Sequence, residues 1–175
     1  MSSLNKGLAK IEVALKWDPS PAGTPAHDLD IVAATYPAHD AHGEPAYIVH
    51  FGSRSPDGTI TLNRDSRTGQ GFGFDEVMIL ELDRLAPSYA RVVVGVAIQQ
   101  QGGRTTFGDI AGTGLRIREG YTELAADDFS GVREATAATV AEFTRAETGG
   151  WEFHRTLRGF DTDPAAFAEK MGARS

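Results

Sequence analysis

The oxygen donors of this chain gather in one glycine-punctuated stretch, Asp65-Ser66-Arg67-Thr68-Gly69-Gln70-Gly71-Phe72-Gly73-Phe74-Asp75-Glu76, with one acid at its start and two at its end. Glycine lets the backbone turn at positive φ and lets carbonyl oxygens converge with no Cβ atom in the way. Carboxylates beside converging carbonyls are the donor set of a hard divalent cation such as calcium. Gly-x-Gly-x-Gly also occurs in plain hairpin loops, and the glycines alone favour that reading. A second acidic pair tips the balance. Asp28 and Asp30 stand at i and i+2 of an apolar run, so both side chains leave one face of a strand, roughly 6–7 Å apart at Cα. Like charges so placed repel unless a cation sits between them. A wet strand end is the competing reading, with slightly less weight.

Other chemistries fit less well. Residues 65–76 have the length of an EF-hand loop, but Gln70 stands where that loop needs glycine, and apolar strands flank it rather than helices. The glycine spacing is wrong for a dinucleotide fingerprint, and a strand follows it. His39, Asp40, His42 and Glu44 offer a His-Asp-x-His pattern to a transition metal, yet they lie in a Gly-, Pro- and Ala-rich connection that reads as a solvated turn. His50 and His154 alternate within strands and read as ordinary sheet residues. Gly-x-Ser-x-Gly is absent, and nothing singles out one acid of a pair for a raised pKa, so no enzyme is expected. Cysteine is absent too, which removes disulfides, thiolate metal sites and direct thiol reduction.

A net charge of -7 argues against non-specific binding to nucleic acid or anionic membrane and leaves room for cations. An apolar fraction of 41% over 175 residues is enough for one domain with a real core, spanning residues 1–175. The first seven residues carry no apolar run, and no stretch reaches the ~20 apolar residues of a membrane span, so a cytoplasmic protein is expected.

The elements that must hold the acids read mainly as strands. Ile11, Val13, Leu15 and Trp17 alternate with polar residues, and residues 28–36 form a second strand. Tyr47 to Phe51 is a third, Ser55-Pro56-Asp57-Gly58 a turn, and Ile60 with Leu62 a short strand leading into the acidic loop. Residues 77–82 and 91–98 are nearly unbroken apolar runs, read as strands covered on both faces. Leu115-Arg116-Ile117-Arg118, residues 121–124 and residues 151–157 alternate again. Residues 134–147 are ambiguous: alanines favour a helix, while threonines and Val140 allow a strand. Thr162 or Asp163 caps a short C-terminal helix with Pro164 in its first turn. The expected fold is mainly β, an antiparallel β-sandwich of two packed sheets with that helix as decoration.

Placed in order, the pieces resemble the TerD family of bacterial tellurium-resistance and stress-response proteins. The resemblance runs nearly end to end. It is carried by Leu15-Lys16-Trp17-Asp18, His27-Asp28-Leu29-Asp30, Ser55-Pro56-Asp57-Gly58, the loop from Asp65 to Gly71 with Asp75-Glu76, Phe107-Gly108-Asp109-Ile110, Trp151 and Gly159-Phe160. It implies a calcium-binding β-sandwich and resolves residues 134–147 as a strand. It implies Asp28, Asp30, Asp65, Asp75 and Glu76 as side-chain ligands, with backbone oxygens around Thr68, Gly69, Gly71 and Gly73 completing the shell. Relatives carry acids where this chain has Phe72 and Phe74, and Asn where it has Ser66. One calcium site is therefore expected, with a second weak or lost, and Phe72 and Phe74 either pack onto the protein or mark a partner contact surface. The function implied is non-enzymatic: calcium fixes the acidic loop and presents a surface to partners. Those partners would be other Ter-type proteins in an assembly at the inner face of the membrane. The alternative is a calcium-independent interaction scaffold of the same fold.

Overall fold

Period-two alternation decides which side of each strand is buried. The computed structural model describes residues 7–50, 54–64, 74–100 and 103–173. In β1 (Lys10–Lys16), Ile11, Val13 and Leu15 point to one side and are fully buried, while Lys10 and Lys16 are exposed. The described residues form nine further strands: β2 (Leu29–Pro37), β3 (Tyr47–Val49), β4 (Ile60–Arg64), β5 (Glu76–Glu81), β6 (Tyr89–Ile98), β7 (Gly114–Glu119), β8 (Thr122–Asp127), β9 (Ala137–Arg145) and β10 (Trp151–Phe160). They make two five-stranded antiparallel sheets, ordered β4-β5-β1-β7-β8 and β10-β9-β6-β2-β3.

The inner faces meet in one core that includes Leu15, Ile31, Met78, Val94, Ile117 and Phe143. The second sheet also buries its outer face. There Val32, Ala34, Tyr36, Val93 and Ala97 pack against Phe167, Ala168 and Met171 of the C-terminal segment. Its helix α1 (Pro164–Lys170) begins as expected: the Asp163 carboxylate accepts from the Ala166 N–H at 2.8 Å, and Pro164 occupies the first turn. Because the helix covers one sheet only, the two apolar runs differ. Strand β6 is covered on both faces from Arg91 to Ile98, as its composition suggests. Strand β5 is not: Val77 and Ile79 are half-buried on the outer face of the first sheet, where α1 does not pack, and Glu76, Met78 and Leu80 face the core.

Residues 137–145 are a strand despite their alanines. Ala137, Ala138 and Ala141 have no solvent exposure, since β9 lies inside the second sheet with side chains packed on both faces. Burial on both faces overrides local helical preference. Strand β10 is an edge. Glu152, His154 and Arg155 are exposed along it, and a bulge interrupts its register between Arg155 and Arg158; charge and irregularity both discourage edge-to-edge pairing. The His39–Glu44 segment continues a short 3-10 turn (Ala38–Asp40), and its His39, Asp40, His42 and Glu44 are all exposed, the solvated turn its composition suggests. No helix among the described residues is long and apolar enough to cross a membrane.

Candidate metal centre

The antiparallel pairing of β1 with β5 brings the end of one strand to the start of the other, with Leu15 opposite Glu76. Two hydrogen bonds close that junction. The Asp75 N–H donates to the Leu15 carbonyl at 2.8 Å, and the Trp17 N–H donates to the Asp75 carboxylate at 2.9 Å. Trp17 then turns its indole N–H toward the His27 carbonyl at 2.9 Å, the residue before Asp28. One tryptophan thus ties the Asp75 end of the first sheet to the Asp28 end of the second.

Glu76 makes a second tie. It shares the inward face of β5 with Met78 and Leu80, and its Oε1 accepts the Ile31 N–H of β2 at 2.5 Å. Among the described residues the β2–β3 ladder ends where Ala33 meets Val49, and Ile31 lies beyond that point. Asp30 is on the opposite face of β2, the helix-covered side it shares with Val32. Its carboxylate accepts from Gln99 Nε2 at 2.7 Å. Asp30, Gln99 and His50 line a cavity of about 510 Å³ whose far wall is Asp163 and Pro164 at the start of α1. Burial there pushes the His50 imidazole below its ordinary pKa, because desolvation penalises the charged ring.

Asp30, Asp75 and Glu76 are 2%, 3% and 0% exposed, and Asp28 is half-buried. Buried carboxylates persist only where hydrogen bonds or cations compensate their charge. Asp109, another acid of the shared motifs, is committed elsewhere: its Oδ2 accepts from the Thr106 N–H and hydroxyl, which caps a 3-10 turn and holds its pKa low.

The described part of the site is therefore four acids at one end of the sandwich, from the starts of β2 and β5. Among the described residues no three His, Asp or Glu side chains converge on one point. Asp65, Thr68, Gly69, Gly71, Phe72 and Gly73 lie outside the described residues. Phe74, the second expected contact residue, is half-buried with the Arg116 guanidinium 4.6 Å above its ring. The four acids offer oxygen donors, which suit a hard cation. The four described acids would still need oxygens from residues 65–73 to build a shell of six to eight.

Comparison with known proteins identifies the family. The profile described as the TerD domain matches residues 1–170. The chain belongs to the TerD family. It is 27% identical over 177 residues to the tellurium resistance protein TerD of an Alcaligenes species, covering 98% of this chain and 92% of that relative. A solved homologue of the telluride resistance protein TerD, SCO6318 from Streptomyces coelicolor A3(2), superposes with a TM-score of 0.95 at 58% identity, over 97% of this chain and all of the other. The solved protein of unknown function SAV2460 gives the same TM-score at 64% identity, with the same coverage.

Two groups in this TerD-family chain escaped the sequence reading. Gln99, the partner of Asp30, sits in a polar loop with nothing local to distinguish it. Lys16 and Arg116 were visible only as the polar members of alternating strands, and their company appears once β1 and β7 are paired.

Proposed function

We propose that this protein is a non-enzymatic, calcium-binding stress-response protein of the tellurite-resistance type. One site would be built from Asp28, Asp30, Asp65, Asp75 and Glu76, with backbone oxygens around Thr68, Gly69, Gly71 and Gly73. The observation that carries the reading is the burial of Asp30, Asp75 and Glu76 at one end of the sandwich. Bound calcium would supply the positive charge that such a cluster lacks. The chain's own part is to hold the acids in register: Trp17 fixes Asp75, and Glu76 spans from β5 to β2. The acidic loop so ordered is the surface offered to partners, which are other Ter-type proteins assembled at the cytoplasmic face of the membrane. Relatives named for tellurium resistance support the stress-response assignment.

A second reading has an observation of its own. Asp30, Asp75 and Glu76 each accept a protein N–H. Such bonds also let a metal-free scaffold keep its acids buried.

Thermal unfolding in EDTA, then calcium, then magnesium, separates the two. Calcium at about 100 times its dissociation constant adds roughly 2.7 kcal/mol, a rise of about 5–10 °C for a chain of this size. The rise should disappear in Asp65→Asn. No shift at millimolar calcium leaves the metal-free scaffold.

A further inference from the structure

An open groove of about 690 Å³ runs from the end of β1 and the start of β7 past the end of β8 to Arg155 and Leu157 of β10 in the second sheet. Three cations line it, Lys16, Arg116 and Arg155, together with Asp127, Asp128 and Phe74. Two of its charges cancel directly, since Arg155 pairs with Asp127 at 2.6 Å. Asp128 lies at the same end and accepts from the Ser130 N–H.

The other end is different. Lys16 and Arg116 make no ion pair with any described residue. Both are nevertheless held in place. The Lys16 stem lies across Gly114, so close that a Cβ there would stand 3.1 Å from Lys16 Cε. Arg116 is held by the Phe74 ring, and its Nε is buried with no acceptor among the described residues. A stacked guanidinium keeps its outer in-plane donors available for a planar, bidentate acceptor. Gly114 faces Lys16 across the β1–β7 ladder and Arg116 is two residues on, so the two cations are diagonal neighbours. Such neighbours are roughly 7–8 Å apart and repel unless an anion bridges them. In a chain of net charge -7, two positioned cations with no ion pair among the described residues are conspicuous.

We infer that the Lys16–Arg116 end of this groove captures a carboxylate side chain from an acidic peptide segment of a partner protein. The groove is open to solvent, so a peptide segment can enter it. Asp127 and Asp128 at its far end oppose a dense phosphate charge and leave room for single carboxylates. The inference rests on the reading of the chain as a partner-binding module, but not on calcium.

Fluorescence anisotropy with a labelled oligoglutamate peptide, run in EDTA and again in calcium, tests it. Binding should weaken about tenfold or more in Arg116→Gln and in Lys16→Gln. It should weaken less in Arg116→Lys, which keeps the charge and loses the fork. Arg84→Gln, an exposed arginine outside the groove, should leave it unchanged. Phe74→Leu, which keeps both cations and removes the platform, should also weaken it. Equal losses in the Arg84 and Arg116 variants would mean diffuse electrostatics and overturn the inference. So would displacement of the peptide by equimolar inorganic phosphate, or no binding in either medium. Peptide binding in a chain that shows no calcium shift would overturn the metal reading and keep the groove.

Discussion

Glu76 carries two duties that one substitution can separate. Its carboxylate is the acceptor for a buried backbone N–H of β2, and it is also one of the oxygen ligands proposed for calcium. Glu76→Gln keeps an acceptor of the same shape and removes the charge, so stability in EDTA should change little while the calcium-induced rise in Tm falls. Glu76→Ala strips the acceptor and leaves the Ile31 N–H buried and unsatisfied, at a cost of about 1–3 kcal/mol with or without calcium. Denaturant titrations of both variants in the two media read the difference. A Gln variant with the full calcium shift would reduce Glu76 to a structural strut. At this scale the sequence names the acids and not their company. Asp28 and Asp30 are legible from spacing, and Asp75 and Glu76 from their place after the glycines. That Glu76 reaches inward to β2 while Asp30 faces outward toward Gln99 follows from strand parity and sheet pairing, and neither is written near those residues in the chain.

The C-terminal helix shows how an element depends on its seat. Seven residues are fewer than the ~12–15 an isolated helix needs in water, so α1 must draw its stability from packing. Its start was legible, because Asp163 and Pro164 are a cap and a first-turn proline. Its seat was not. The Phe167 ring lies over Gly95 of β6, where an added Cβ would stand 2.5 Å from Phe167 Cζ and 2.8 Å from the Ala138 carbonyl oxygen. A glycine inside an apolar strand run marks such a close approach. Gly95→Ala should therefore cost about 1–3 kcal/mol by overpacking. Part of that loss should be recovered in the Phe167→Leu background; strictly additive losses would place the clash at the Ala138 backbone instead. Arg91 fastens the same region. It pairs with Glu142 of β9, donates to the Gly172 carbonyl at 2.6 Å and stacks 5.0 Å from the Tyr36 ring centroid. Arg91→Ala leaves Glu142 and that carbonyl without their donor and should destabilise the chain by about 3 kcal/mol in urea unfolding. The fate of residues 137–145 belongs here too. Their alanines read locally as helix, and only the end-to-end family resemblance turned the reading to strand, because the packing that decides it comes from elements far away in sequence.

At the scale of the whole molecule, the chain repeatedly crosses between its sheets. The first sheet collects β1, β4, β5, β7 and β8, and the second β2, β3, β6, β9 and β10. Neither sheet can be completed from one contiguous stretch, so each needs the other's connections in place. Such non-local pairing makes folding slow, on the order of milliseconds to seconds, and the interdependence of the sheets predicts that they unfold as one unit. Two tryptophans test this from opposite layers. Trp17 follows β1 in the first sheet and Trp151 opens β10 in the second; both are 2% exposed and belong to the shared core. Trp151→Phe leaves Trp17 as the only indole, and Trp17→Phe leaves Trp151. Within each variant, fluorescence and far-UV circular dichroism should give one midpoint in urea. The calcium arm sharpens the test. Trp17 is hydrogen-bonded to Asp75 and to the carbonyl before Asp28, so it sits against the proposed metal site, while Trp151 packs under Arg145 at 4.5 Å in the other sheet. If the sandwich is one cooperative unit, calcium must raise the midpoint seen by Trp151 as much as the circular-dichroism midpoint of the same variant. A calcium response confined to Trp17 would mean that the acidic end orders locally, and Phe74 beside Asp75 and Lys16 beside Trp17 would carry that ordering only as far as the near end of the groove.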